Sequence, residues 1–200
     1  PFVLLGTGML WFGWFGFNAG SALAANATAA MAFATTTIAS ASAMLTWVFF
    51  DRLNGRKVSA LGACIGAVVG LVVITPSAGF VTIPQSMFFG FIGAIVSNKM
   101  VYWKKLKQID DTLDVFACHG VGGTMGMILT AIFAQGENAS LLHGGFSVFG
   151  HHMMALVLVS VFTFGGSYLL FKLTNLIIPI RVSEESEDIG LDLSQHGEKF

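Results

Sequence analysis

Six long apolar stretches, separated by short polar or turn-forming segments, constrain this chain more than any other feature. They occupy roughly residues 2–20, 27–50, 57–76, 84–103, 114–134 and 148–180. About 20 apolar residues allow a helix to cross the hydrocarbon core of a bilayer. Only helices and closed barrels span membranes, because every backbone polar group there needs an internal partner. The pattern therefore predicts an all-α fold, a polytopic transmembrane helix bundle with six spans.

Composition argues against a soluble helical protein. Apolar residues make up 54% of the chain and charged residues 10%, whereas soluble domains average about 45–50% and about 25%. So few charges cannot cover six such stretches in water. We expect a lipid bilayer as the main solvent, and the net charge of −1 gives no indication of a nucleic-acid partner.

The basic residues predict an orientation. If the six spans alternate, every Lys and Arg lies on one side or at helix ends facing it, and the positive-inside rule makes that side cytoplasmic. We expect a multi-pass protein of the plasma or inner membrane, with transmembrane domain 1–180 and a cytoplasmic tail 181–200. The acidic tail is typical of a solvated, disordered end. Because the chain starts at Pro1 and enters an apolar stretch at once, we expect it to be a fragment.

Small residues indicate close helix packing. Gly62, Gly66 and Gly70 repeat at intervals of four, Gly122 and Gly126 repeat the spacing, and the second stretch is rich in Ala and Ser. Such spacing lets membrane helices approach closely where no hydrophobic force drives them together. We expect these helices to pack on protein.

His119 is the strongest candidate for function. It follows Asp114 by five positions, about 8 Å into the fifth predicted helix. An ionisable residue at such a depth normally faces a cavity, a partner or a permeation path. A pore-lining role and a hydrogen bond between helices both remain open. Asp110, Asp111 and Asp114 are expected to cap the helix, since acids favour helix N-termini.

Other reactive residues give weaker signals. Cys118 and His119 are adjacent, so on a helix they do not face each other, and an intramembrane enzyme is disfavoured. His143, His151 and His152 are expected in the external loop rather than at a metal site, which needs three or four converging ligands. We predict neither a metal nor a cofactor.

An aromatic run closes the first span on its outer side. It contains Trp14, Phe17 and Ser21. The run fits an aromatic belt at the membrane interface or a vestibule in which ring faces hold a cation within about 6 Å. In a vestibule, Ser21 could supply an acceptor. Trp14, Phe17 and Ser21 are therefore candidate substrate-binding residues.

Four motifs resemble the ammonium transporter (Amt/Mep/Rh) family. They are residues 13–21, residues 61–76, residues 111–123 with His119-Gly120-Val121-Gly122-Gly123, and residues 190–198. The resemblance covers nearly the whole chain. It implies an eleven-helix fold in which two five-helix halves form an inverted repeat around a pore, with spans six to eleven in this chain.

The resemblance also implies residue roles. His119 matches the second of two pore histidines, Phe17 matches one of two stacked phenylalanines gating the outer pore, and Ser21 matches the hydroxyl at the external ammonium site. Cys118 occupies a position that is usually small or apolar. The implied function is passage of ammonium or ammonia, with cation recruitment at the aromatic site and mainly neutral amine crossing the apolar pore.

The resemblance further implies a homotrimer and a PII-type signalling protein at the cytoplasmic face. Two alternatives use the same fold. One is a conduit for another small neutral solute such as water or carbon dioxide, and the other is an ammonium sensor.

Overall fold

The computed structural model describes residues 1–135 and 140–199, and the described chain is helical without strands. The α-helices are α1 Phe2–Asn18, α2 Ala27–Leu53, α3 Ala60–Ile74, α4 Ile83–Leu106, α5 Val121–Phe133, α6 Phe146–Ile177 and α7 Glu184–Ile189. Two five-residue segments, Phe116–Gly120 and Asp192–His196, are π-helical. The all-α prediction is confirmed.

Each of the six predicted stretches contains a long helix, but they differ in apolar character. Among the described residues, five helices are long and apolar enough to cross a membrane. The exception is α4, which has 24 residues but carries lysines near its C-terminal end. The 32 residues of α6 would measure on the order of 48 Å, longer than a hydrocarbon core of about 30 Å. It must tilt or extend beyond the bilayer.

Short polar side chains set the starts of the central helices. The Asn26 side chain accepts a hydrogen bond from the Ala29 N–H at 2.9 Å, and Ser59 Oγ accepts from the Gly62 N–H at 3.0 Å. Thr82 and Gln85 form a reciprocal capping box at α4. These contacts satisfy amide groups that have no partner inside the helix.

Glycine allows the central helices to touch at their backbones. A Cβ atom at Gly70 would lie 2.5 Å from the Ala39 carbonyl oxygen and 2.6 Å from Ser40 Cα, and one at Gly126 would clash with the Val73 carbonyl. The small-residue packing prediction is thus confirmed for α2 against α3 and for α3 against α5. The core lies among α2 to α5 and contains Trp47, Val69, Val73, Phe89 and Ala117, among others.

The structure divides into two compact units, Pro1–Leu156 and Val157–Phe200. The first contains α1 to α5 and the start of α6. In the second, the predicted disordered tail instead forms helical turns, because Ser183 caps α7 and acidic residues favour a helix N-terminus. Arg181 Nε lies 2.8 Å from Glu187 Oε1, and Ser194 Oγ donates to the Ser186 carbonyl at 3.2 Å. These contacts order the tail locally.

Candidate conduit and its two cavities

The C-terminal end of α1 brings the predicted aromatic residues together. Trp14 and Phe17 meet edge to face with ring centroids 5.6 Å apart. The Trp14 indole N–H donates to Thr75 Oγ1 at 2.8 Å, which fastens α1 to the end of α3. Phe17 is 62% exposed in the described chain. One aromatic ring is therefore anchored, while its neighbour is available for contact.

Ser21 lies one turn beyond Phe17, in the short 3-10 helix Gly20–Ala22. Its hydroxyl donates to the Phe17 carbonyl at 2.5 Å. Because this bond uses the hydroxyl proton, the remaining lone pairs can accept a hydrogen bond from a ligand. A cavity of about 320 Å³ is lined in part by Phe17, Ser21, Thr75 and Phe80. We call it the outer cavity, after the outer side of the membrane on which the sequence predicts it.

Asn18 holds this end of α1 in place. Its side chain is buried and donates from Nδ2 to Thr36 Oγ1 on α2 at 2.9 Å. Buried amides of this kind need partners because an unpaired polar group is costly. The bond, together with that between Trp14 and Thr75, fixes the C-terminal end of α1 against α2 and α3.

His119 is the fourth residue of the π-helical segment Phe116–Gly120. Its side chain is exposed in the described chain. Among residues 1–135 and 140–199 it has no hydrogen-bond or ion-pair partner. His119 helps to line a cavity of about 420 Å³ whose walls are mainly apolar, here called the histidine cavity. The described chain thus offers no interhelical hydrogen bond to account for this imidazole.

One face of α1, continued by Ser21 in the 3-10 helix that follows, runs between the two cavities. The residues that form it recur three or four positions apart, which places them on the same side of a helix. We call this set the α1 stripe, and it consists of Val3, Thr7, Leu10, Trp14, Phe17 and Ser21. Its first three members line the histidine cavity, and its last two line the outer cavity. Helical rise separates Val3 from Phe17 by about 21 Å.

The start of the π-helical segment corrects one sequence prediction. The Asp111 carboxylate caps it, with Oδ1 accepting from the Val115 N–H at 2.9 Å and Oδ2 from the Phe116 N–H at 3.0 Å. Asp114 does not cap. It has a left-handed backbone with φ of 55°, and its carboxylate lies 2.6 Å from Lys104 Nζ. In the described chain, Asp110 makes no hydrogen bond or ion pair.

The contacts of Asp111 lower its pKa. Burial opposes ionisation, but the Phe116 and Val115 N–H groups and the Lys104 ammonium outweigh this effect and hold the pKa of the carboxyl below its usual value. Hydrogen bonds and cations favour the charged form of an acid. Asp111 is accordingly a charged cap at neutral pH.

Sequence reasoning missed the role of Lys104. The sequence predicts Lys104 only as one of the basic residues of the cytoplasmic side. In the structure its side chain is buried, with 4% of the residue exposed. The sequence does contain a pattern that could have indicated these ion pairs. Lys104 lies at the end of an apolar stretch, and Asp111 and Asp114 follow it seven and ten positions later. Only the turn between the two helices brings these charges together.

The remaining candidates do not assemble into a reactive site within the described residues. Cys118 is buried, and no hydrogen bond joins it to His119 there. His151 and His152 lie on α6 and not in the loop where they were predicted, because α6 already begins at Phe146. His143 is in the turn Leu141–His143. Among all the residues that the structure describes, no three His, Cys, Asp or Glu side chains converge to hold a metal ion.

Comparison with known proteins identifies the family. The model of the Ammonium Transporter Family matches residues 1–200. An ammonium transporter of Bacillus subtilis is 41% identical over 204 residues, covering 99% of this chain and 50% of the relative. A putative ammonium transporter of Methanothermobacter thermautotrophicus is 43% identical over 202 residues, covering 98% of this chain and 50% of the relative.

Solved structures agree with these relatives. Mep2 of Saccharomyces cerevisiae has a TM-score of 0.87 at 34% identity, with 96% of this chain and 45% of that chain covered. A structure titled Sensor Amt Protein has a TM-score of 0.85 at 32% identity, covering 96% and 48%. This chain spans about half the length of the curated relatives it matches. It is a multi-pass integral membrane protein and belongs to the ammonium transporter family.

Proposed function

We propose that the whole protein conducts ammonium or ammonia across the membrane and that this chain supplies one wall of the conduit. The observation that carries the proposal is the α1 stripe, which runs from the outer cavity to the histidine cavity. Membership of the ammonium transporter family supports the same substrate. As a protein of a transporter family, it is proposed to have no enzymatic activity.

The outer cavity suits recruitment of a small cation. Phe17 offers an exposed ring, Trp14 stands edge to face beside it, and Ser21 retains acceptor lone pairs. An aromatic face attracts a cation by about 0.5–2 kcal/mol, more as water is excluded. We assign Trp14, Phe17 and Ser21 to substrate binding, with Phe17 also lining the path.

The histidine cavity suits a neutral solute. Its walls include Val3, Leu10 and Ile65, and an apolar environment penalises a charged species by several kcal/mol. Neutral imidazole can both donate and accept a hydrogen bond. His119 is therefore proposed as the pore group that binds ammonia once ammonium has lost a proton. It could alternatively relay that proton.

The proposal extends to assembly and location. We propose a homotrimer with one conduit per subunit in the plasma or inner membrane. Residues 1–180 would form part of its transmembrane domain. Residues 181–200 would form a cytoplasmic tail, and a PII-type signalling protein would bind at that face. Crosslinking of the full-length protein in detergent tests the trimer, and only monomeric species would contradict it.

The decisive experiment is substitution of His119 in the full-length protein, reconstituted in liposomes. Methylammonium uptake and current are measured together with thermal stability. His119→Phe should fill the cavity and block uptake, whereas His119→Glu should alter selectivity, because a carboxylate offsets part of the desolvation of a cation. His151→Phe on α6 is the matched control.

Two outcomes would oppose the assignment. Wild-type flux and selectivity in both well-folded His119 variants would show that this residue does not line the path. Methylammonium binding without any uptake by the wild type would instead indicate a sensor, the function named for the structural relative titled Sensor Amt Protein.

A further inference from the structure

Lys104 is a buried cation in the last turn of α4. Its ammonium lies 2.6 Å from Asp114 Oδ1 and 3.4 Å from Asp111 Oδ2, and it donates to the Asp111 carbonyl oxygen. A buried ammonium persists only when it is both paired and hydrogen-bonded. These three contacts account for the burial of Lys104 and hold both carboxylates against α4.

The two carboxylates define the start of the segment that carries His119. Asp111 accepts from the amides of Val115 and Phe116. The Asp114 carbonyl accepts from the Cys118 N–H at 2.9 Å, so its left-handed backbone is continuous with the π-helical turn. A left-handed conformation is uncommon outside glycine. Fixing the Asp114 side chain therefore helps to fix the direction in which this turn begins.

Lys104 is not part of the wall of the histidine cavity. Asp114 and His119 both line the histidine cavity, whereas Lys104 is absent from its walls. Any influence of Lys104 on His119 must therefore pass through the acidic residues and the π-helical backbone. An effect of Lys104 on transport would therefore come from the position of His119 and not from direct contact between Lys104 and a permeating molecule.

We propose that Lys104 is a positioning residue that sets the place of His119 in the conduit through Asp111 and Asp114. Without its charge, two neighbouring carboxylates repel each other, and Asp114 is released from α4. The segment Phe116–Gly120 then starts in a different direction. The expected effect on transport rests on the proposed function, but the effect on the segment does not.

Cys118 reports the position of this segment without a transport assay. It precedes His119 directly and is 5% exposed, while Cys64 on α3 is equally buried and lines the same cavity. A shift of the π-helical turn should expose the Cys118 thiol and leave Cys64 covered. Cys64 therefore serves as an internal control for general loosening.

The experiment uses the full-length protein in liposomes. Alkylation by N-ethylmaleimide is followed at each cysteine by mass spectrometry of its peptides, in parallel with methylammonium uptake. Lys104→Gln should accelerate alkylation of Cys118 by about tenfold, the equivalent of losing one charge-assisted contact, and should reduce uptake. Asp114→Asn should likewise accelerate alkylation of Cys118 and reduce uptake. It provides a second test of the proposal if Lys104→Gln does not fold.

Two further variants act as controls. Lys104→Arg should retain slow alkylation, because a guanidinium can bond both carboxylates. Lys107→Gln removes an exposed charge nearby and should change neither reading. Unchanged Cys118 alkylation in both Lys104→Gln and Asp114→Asn would overturn the proposal, as would equal acceleration at Cys64.

The alkylation reading also separates this proposal from the proposed function. Faster Cys118 alkylation in Lys104→Gln would support positioning even if His119→Phe left uptake unchanged. In that case the proposed role of His119 in permeation would fail, while the control of its segment by Lys104 would stand.

Discussion

Trp14 and Thr75 are joined by a hydrogen bond of 2.8 Å between the indole N–H and the threonine hydroxyl, 61 residues apart in sequence. The Thr75 hydroxyl in turn donates to the Leu71 carbonyl at 2.7 Å. This pair ties the C-terminal end of α1 to the C-terminal end of α3. It holds one side of the outer cavity, which Thr75 and Phe17 both line.

Replacing Trp14 with Phe should lower stability. The change keeps an aromatic ring but leaves Thr75 without its donor, at an expected cost of about 0.5–1.5 kcal/mol. Thermal unfolding of the full-length protein in detergent measures the effect. Trp11→Phe is the matched control, because Trp11 makes no side-chain hydrogen bond in the described chain. Equal melting temperatures for the two variants would contradict a stabilising role for the Trp14 bond.

Replacing Gly70 with Ala should separate α2 from α3. The new Cβ would lie 2.5 Å from the Ala39 carbonyl oxygen, so we expect a loss of about 1–3 kcal/mol from overpacking. Gly8→Ala adds the same methyl group at a position where no atom beyond the chain neighbours and the helix's own backbone lies within 4 Å, and it should be neutral or slightly stabilising. Thermal unfolding of both variants tests this, and a Gly70→Ala protein as stable as Gly8→Ala would refute the close contact.

The Asp111 cap should make stability depend on pH. Its pKa in the folded protein is lowered from 3.8, so the ionised carboxylate stabilises the fold above the unfolded-state pKa. That contribution is lost as the pH falls from about 3.8 through the lower folded value. The difference in melting temperature between wild type and Asp111→Asn should therefore be constant near neutrality and shrink in acid.

Asp110→Asn is the matched control for this pH dependence. Asp110 is exposed and makes no ion pair or side-chain hydrogen bond among the described residues. The difference in melting temperature between wild type and Asp110→Asn should therefore be near zero at every pH. If the Asp111→Asn difference did not shrink in acid, the cap would be making no ionic contribution.

Deleting residues 183–200 should impair transport or its regulation. The tail is locally ordered, with Arg181 bonded to Glu187 through two nitrogens at 2.8 and 3.0 Å and Ser183 at the start of α7. Methylammonium uptake and binding of a PII-type protein are measured for the truncated protein. Arg181→Ala removes this ion pair but keeps residues 183–200. Comparing it with the deletion distinguishes the effect of losing the ion pair from the effect of losing the tail. Normal uptake and unchanged PII binding after deletion would indicate a passive tail.

The sequence by itself determined the class of fold and the small-residue packing. Six apolar stretches, most of them about 20 residues long, in a chain with 10% charge indicate helices that span a membrane, because hydropathy and the hydrogen bonds within a helix both act along the chain. Glycine spacing likewise predicted close contacts, such as that of Gly70 with α2. The candidate residues Trp14, Phe17, Ser21 and His119 could also be selected from residue type and depth.

Tertiary structure decided how these residues are held and connected. Local rules assigned Asp114 to a helix cap and Lys104 to the cytoplasmic side of the membrane, because acids favour helix N-termini and basic residues collect on the cytoplasmic side. The turn after α4 instead brings Lys104 onto Asp111 and Asp114 and buries it. The two cavities on the α1 stripe likewise depend on where α3 and the π-helical segment pack. Contacts between residues distant in sequence are created only by folding, so no local pattern could specify them.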